Sequence, residues 1–408
     1  MTSSATLIQN ARLLRPGHWI RPGSVLIEAG RITAIDPASS QLNNSCSRID
    51  ADGALLTPGL IDLHCHGVGH YLYEIDPDQI LQASQLLPKY GTTTVLPTLY
   101  TVMNRKSLGL LERLSAALPQ ATGCSMPGFH LEGPFLAIPG AGAATLHGDL
   151  TLLREILAAA QGRVLAMSIS PDTPNIIPVI EHLREQSITV FMTHTRASVA
   201  ETQAAIAAGA THATHFYDVF PLPQETDAGV RPVGAVETIL ADTHCSVDFI
   251  CDGVHVHPMA IRAALAAKGW NNVVAITDSN VGAGLGNGIY ETPWGYPIEV
   301  RAGDAARVAD RQHPNFGLLA GSSLTMDRAM ANLTDWLDLP LEKIWAMGTV
   351  NPATVVSLLQ KGDLYVGADA DLVLWQESEY GRRAQIAWVA GRCVYGVDSV
   401  NRNLGSKT

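Results

Sequence analysis

The sequence predicts an α/β protein: a (β/α)8 barrel with a smaller β-domain assembled from both chain ends. Three observations predict it. Short apolar runs alternate with helix-patterned segments through the middle of the chain. Strand-like segments without helices flank them at both ends. Residues able to bind metal recur where the apolar runs stop, as side chains at the mouth of a barrel would.

Taken in order, residues 5–55 read as short strands, Thr6-Leu7-Ile8, Ser24–Glu28 and Arg31–Ile35, separated by turn signals at Asn10, Pro22-Gly23 and Ala29-Gly30. Candidate barrel strands follow at 58–66, 92–99, 125–132, 163–170, 188–194, 211–216, 245–251 and 272–278. Helical patterns fill the gaps, for example Asp76–Leu87, Asn104–Leu118, Ala197–Ala208 and Pro258–Lys268. A doubly wound sheet is the competing architecture, but no glycine-rich dinucleotide loop follows the first strand. Gly282–His313 is a longer irregular stretch, either a cover over the site or a hairpin beside the mouth. Strands return at 371–375, 385–389 and 393–395. The expected division is residues 1–56 and 361–408 for the small β-domain and 57–360 for the barrel.

Composition bounds the function. Hydrophobic residues make up 47% and charged ones 16%, which suits a well-buried enzyme rather than a disordered chain. A net charge of −11 argues against nucleic-acid binding, because a phosphate backbone demands a basic surface. The six cysteines form no CxxC pair and no dense framework, which fits reduced thiols in the cytoplasm. No signal peptide or membrane-spanning run is visible, so the expectation is a cytoplasmic protein.

The chemistry centres on Pro58-Gly59-Leu60-Ile61-Asp62-Leu63-His64-Cys65-His66-Gly67. On a strand, His64 and His66 point one way and Cys65 the other, placing two imidazoles side by side. Glu132, His194, His215 and Asp278 each end their own apolar run and complete a set of four histidines and two carboxylates. Such a set suits one or two divalent ions, zinc first, with iron, manganese or cobalt also accommodated. Surface histidines in loops are the plain alternative, and convergence at one end of five strands argues against it. Asp278 is the candidate acid/base, against a second reading as a helix N-cap. His130 and His212 fall earlier in their strands and read as supporting or core histidines.

These motifs give the chain a resemblance to the amidohydrolase superfamily, and within it to the N-acetylglucosamine-6-phosphate deacetylases. The shared runs are Pro58–His64, His130-Leu131-Glu132-Gly133-Pro134-Phe135, Thr214-His215-Phe216-Tyr217, Asp252-Gly253-Val254-His255-Val256, Thr277-Asp278, Leu319-Ala320-Gly321-Ser322, Asn351-Pro352-Ala353 and Gly367–Val373. The resemblance implies a TIM-like barrel beside a small β-sandwich made by both termini, and metal-dependent hydrolysis of an N-acetyl amide on an amino sugar. It implies that His64 and His66 hold one ion and His194 and His215 another. Glu132 would bind or bridge, Asp278 act as acid/base, and His255 polarise the acetamide carbonyl. A homodimer is expected on the same ground.

Departures fall where such enzymes hold the sugar phosphate. The family pattern His-Leu-Tyr-Asn-Ala-Met stands here as His215-Phe216-Tyr217-Asp218-Val219-Phe220, placing a carboxylate where an amide is usual. A Gly-Ala-His run stands as Gly142-Ala143-Ala144, and an Arg-x-Pro-Gly run is matched loosely by Arg231-Pro232. Arg196, two residues after His194, is a substitute anion anchor or a solvated arginine at a helix start. Candidate substrate contacts are therefore His255, Asp218, Arg231, Arg196 and Ala144. An amidohydrolase acting on a non-phosphorylated N-acyl or cyclic amide is the alternative.

Overall fold

The structure is a computed structural model that describes residues 5–42, 46–140, 143–378 and 381–396. Its centre is a sheet of eight parallel strands in sequential order: β1 (Leu60–Cys65), β2 (Thr92–Leu99), β3 (Phe129–Glu132), β4 (Val164–Ile169), β5 (Thr189–Met192), β6 (Ala210–Ala213), β7 (Ser246–Ile250) and β8 (Val273–Ile276). The ends of this order meet. The Asp278 N–H bonds the His64 carbonyl at 2.8 Å, and the His66 N–H bonds the Ser279 carbonyl at 2.8 Å, joining β1 to the extension of β8.

The two faces of the strands separate clearly in β7. Val247, Phe249 and Cys251 join the large apolar cluster formed with the surrounding helices. Ile250 joins a smaller cluster with Ile61, Leu63, Phe191, Val274 and Ile276, against which Ala353 and Val356 pack. Above it sits a polar layer: the Phe191 ring lies 4.8 Å from the His130 ring and 4.3 Å from the His212 ring. The helices start where their sequences provide caps. The Asp76 side chain accepts the Gln79 N–H ahead of Pro77–Leu86, and Ser198 with Glu201 forms a capping box for Val199–Ala208.

A second sheet combines both chain ends. Strands Thr6–Arg15, Trp19–Glu28, Arg31–Ile35, Ser47–Asp50 and Leu55–Pro58 join Leu372–Ser378, Gly381–Val389 and Arg392–Tyr395. Leu55–Pro58 pairs antiparallel with Leu372–Trp375, which joins the two halves, and a separate apolar cluster around Ile8, Leu13, Leu56, Leu374 and Trp388 packs beneath. Between this sheet and the barrel lies Gly59, where a Cβ would sit 2.0 Å from Thr93 Oγ1. Only a glycine lets the chain pass there.

Two expectations need correction. Asn10 and Pro22-Gly23 do not separate strands. Asn10 lies inside Thr6–Arg15 in a left-handed conformation (φ 57°) at a bulge, and Pro22-Gly23 lies opposite Arg12 and Ala11 inside Trp19–Glu28. Bulges recruit the same residue types as turns, so the local signal was the same. The tight connection is at Gly17 instead. The 282–313 stretch contains three short strands, Gly288–Tyr290, Ile298–Val300 and Arg307–Val308, with Val281, Ile298, Val300 and Val308 packed on Leu72. No helix among the described residues is long and apolar enough to cross a membrane.

Candidate metal centre

The six predicted ligands converge at the C-terminal ends of the barrel strands. His64 lies in β1, His66 just beyond it, and Glu132 is the last residue of β3. His194, His215 and Asp278 each stand two residues past the end of β5, β6 and β8. All three of these have left-handed backbones, with φ of 49°, 34° and 47°. Non-glycine residues adopt this conformation at a cost, and such residues cluster at functional sites. Each turn bends its side chain inward over the barrel mouth. The N-cap alternative for Asp278 is not realised, because no helix follows it directly.

Glu132 stands at the middle. Its Oε1 lies 3.0 Å from His194 Nε2 and 3.2 Å from His215 Nε2, while Oε2 lies 3.4 Å from His66 Nε2 and 3.7 Å from His64 Nε2. Asp278 Oδ1 lies 3.2 Å from His66 Nε2 and 3.6 Å from His64 Nε2. Among the described residues, two sets offer three donor atoms within 4.8 Å of one another: His64, Glu132 and His215, and His64, His66 and Asp278. His194 belongs to neither set, but with His215 it lies on Glu132 Oε1, whereas His64 and His66 lie on Oε2.

The tautomers test whether a cation fits. His66 Nδ1 lies 3.1 Å from the Thr98 carbonyl, which can only accept, so this nitrogen carries hydrogen. His64 Nδ1 lies 2.9 Å from Thr214 Oγ1, whose hydroxyl already donates to Asp248, so it too carries hydrogen. In neutral rings both Nε2 atoms then present lone pairs, and they face one another at 3.2 Å. Two lone pairs at that distance, beside two carboxylates, are stabilised only by positive charge between them. A divalent cation fits, as do protons in its absence. Burial disfavours the charged ring of His66, yet Asp278 and Glu132 outweigh it and push its pKa up to about 9. For His215, Glu132 likewise overcomes burial and raises the pKa to about 10. The surrounding histidines hold Asp278 ionised, down to about 2 against the opposing effect of burial.

Around this centre lie groups that the sequence reading did not single out. Buried Asp62 accepts the Thr277 hydroxyl at 2.6 Å and pins β1 to β8; burial lifts its pKa to about 7. Asp248 accepts from His212 Nε2 at 2.8 Å, and His130 contacts the Leu63 carbonyl at 2.9 Å and Ser168 Oγ at 2.7 Å, so both histidines are supports as expected. Glu74 caps the Tyr100 and Thr101 N–H groups at 3.0 and 3.1 Å. Tyr100 stacks edge-on to His66 at 5.0 Å, and burial raises its phenol's pKa. The signal for Asp62 and Asp248 was a lone aspartate inside an otherwise apolar strand.

The expected substrate contacts are placed unequally. His255 Nδ1 lies 2.6 Å from Asp252 Oδ2; burial opposes its charge, but Asp252, Asp278 and Asp218 raise its pKa. Asp218 lies between left-handed Tyr217 and Val219, and its charge also acts on His215. No hydrogen bond or ion pair among the described residues links Arg196, Arg231 or Ala144 to the cluster. Arg196 and Ala144 are exposed, and Arg231 pairs with Glu237 at 2.6 Å. Gly142 lies outside the described residues.

Comparison with known proteins gives the same picture. A family model described as "Amidohydrolase family" matches residues 55–394. An N-acetylglucosamine-6-phosphate deacetylase of Bacillus subtilis is 30% identical over 388 residues, 91% of this chain and 93% of that protein. An N-acetylgalactosamine-6-phosphate deacetylase of Escherichia coli O157:H7 is 27% identical over 95% of this chain and 98% of its own. Among solved structures, an N-acetyl-D-glucosamine-6-phosphate deacetylase variant of Mycobacterium smegmatis, in complex with N-acetyl-D-glucosamine-6-phosphate, aligns with a TM-score of 0.81 at 27% identity. It covers 96% of this chain and 100% of its own.

Proposed function

The chain belongs to the amidohydrolase family, whose members are metal-dependent, and from that premise we propose that it removes the acetyl group from an N-acetylated amino sugar, N-acetylglucosamine 6-phosphate first among candidates. The observation that carries the reading is the facing pair of His64 and His66 lone pairs flanked by Glu132 and Asp278.

His64, His66, Glu132, His194, His215 and Asp278 would hold the metal, with two ions, zinc first, suiting this many donors. A divalent ion bound there would polarise the amide carbonyl and acidify water. Asp278, ionised at neutral pH, takes a proton from the attacking water and returns it to the leaving nitrogen. His255, oriented by Asp252, donates to the carbonyl oxygen as negative charge develops there. Water's oxygen forms the new bond to the acyl carbon and the C–N bond breaks, giving acetate and a free amine. Arg196 and Arg231, the latter paired with Glu237, are the cations proposed for a phosphate, and a homodimer is the expected assembly.

Asp218 favours a second reading, in which the substrate lacks the phosphate. Its charge acts on both His215 and His255, which supports a place for it near the substrate. Steady-state assays of metal-replete protein with N-acetylglucosamine 6-phosphate, N-acetylgalactosamine 6-phosphate and unphosphorylated N-acetylglucosamine separate the readings. A preference for a phosphorylated sugar supports the first, and a preference for the free sugar the second. No hydrolysis of any of them, with metal bound, would remove the amino-sugar assignment.

A further inference from the structure

Asp248 is a fully buried carboxylate inside β7 with three donors around it. Its Oδ2 accepts from His212 Nε2 at 2.8 Å. Its Oδ1 accepts from the Thr214 hydroxyl at 3.1 Å and from the His215 backbone N–H at 2.5 Å. A buried carboxyl group with no access to water needs such partners. Two of them belong to the segment that carries His215, and the third, His212, lies earlier on the same strand.

The hydrogen-bond inventory then constrains His64. A threonine hydroxyl has one hydrogen, and Asp248 Oδ1, which takes the His215 backbone N–H, acts as an acceptor. Thr214 therefore donates to Asp248, and its oxygen can only accept from His64 Nδ1, 2.9 Å away. Nδ1 of His64 is thereby the protonated nitrogen, and Nε2 is left with its lone pair directed at Glu132, His66 and Asp278. The same carboxylate holds the His215 backbone in its left-handed turn (φ 34°).

We propose that Thr214, oriented by Asp248, is a positioning residue that fixes the tautomer of His64 and so prepares the site for a divalent cation. The proposal rests on reading the cluster as a metal centre. Thr214 makes no contact with substrate in this role; it acts through the ring it orients. Partners of this kind change metal affinity by roughly 10–100-fold when lost.

The test compares Thr214→Val with Thr214→Ser in the full chain. Valine keeps the shape and removes the hydroxyl, while serine keeps the hydroxyl. Metal-free proteins are titrated with zinc in competition with a chromophoric chelator, and their thermal midpoints are measured without metal. The expected result is a zinc affinity about 10–100-fold weaker in Thr214→Val and within about threefold of wild type in Thr214→Ser. Zinc affinity in Thr214→Val within about threefold of wild type would overturn the proposal, whatever its thermal midpoint. So would an equal loss in the serine variant. A wild-type protein that takes up no zinc, cobalt or manganese would instead overturn the metal reading beneath it.

Discussion

Gly140 presses against the imidazole of His194: a Cβ at this position would lie 2.5 Å from Cε1 of the ring and 3.1 Å from Nε2. The contact is made by the loop that follows β3, which also bonds the His194 carbonyl through the Ile138 N–H at 3.1 Å. The loop after Glu132 thus sets the position of a histidine from another strand. Gly140→Ala is expected to push His194 away from Glu132 and lower kcat/KM by roughly 10–100-fold. The thermal midpoint of the metal-free protein should change little, because the displaced ring is the main conflict. Kinetics with metal analysis of the purified variant check this.

Metal uptake should release protons. Without metal, His66 and His215 have pKa values near 9 and 10, so both rings are protonated at neutral pH and their lone pairs are occupied. A cation must displace those protons. The sign follows: affinity is weakest at low pH, rises as pH climbs toward 9 and 10, and levels off above. Calorimetric titration of the metal-free protein in two buffers of different ionisation enthalpy should show roughly two protons released at neutral pH. Equal heats in the two buffers would mean the rings were already neutral.

Asp278→Asn keeps the size and one acceptor atom at the centre but removes the proposed proton carrier. Turnover is expected to fall by about 10²–10⁴-fold. Metal content by elemental analysis should remain substantial, since His64, His66, Glu132 and His215 are unchanged. Near-normal turnover would remove Asp278 from the acid/base role.

The six residues that gather at the barrel mouth were legible because each signals itself locally. His64, His66, Glu132, His194, His215 and Asp278 are polar residues at the end of apolar strands, and a barrel brings such ends together whatever the exact register. The supports were not legible in the same way. Thr214 matters because its oxygen meets His64 from another strand, and Gly140 because a loop folds back onto His194; neither fact has a sequence period. The same limit explains Asn10, where a bulge and a turn demand the same residues. The 282–313 stretch had irregular sequence and gave no register, although three short strands in it pair with one another.

The joint between the sheet and the barrel offers a stability test. Gly59 lies where a Cβ would meet Thr93 Oγ1 at 2.0 Å and Thr93 Cβ at 2.5 Å, and Thr93 is itself fully buried. Overpacking of this kind costs about 1–3 kcal/mol. Gly59→Ala should lower the thermal midpoint measurably in both metal-free and metal-loaded protein. Gly53, with nothing within 4 Å, is no steric control because its own φ of 77° would strain an alanine. Gly109, with open space and no positive φ, is the suitable control, and Gly109→Ala should leave the midpoint nearly unchanged or slightly raised.

Asp218 decides the substrate question. It stands three residues beyond His215, its N–H bonds the His215 carbonyl at 2.9 Å, and no ion pair among the described residues neutralises it. A phosphate dianion brought near this carboxylate is repelled, and at an effective dielectric of 20 to 80 the penalty at a separation of about 6 Å is roughly 1–5 kcal/mol. A neutral hydroxyl in the same place instead donates a hydrogen bond to it. Asp218→Asn removes the charge and leaves one acceptor oxygen. If phosphate binds there, the ratio of kcat/KM for phosphorylated over free N-acetylglucosamine should rise at least about tenfold, the equivalent of 1.4 kcal/mol. If the physiological substrate is unphosphorylated, activity on the free sugar should fall in the same variant as the charge-assisted bond is lost. A ratio that does not move, with activity on the free sugar intact, would place Asp218 outside substrate contact and leave Arg196 and Arg231 to be tested as the anion anchor.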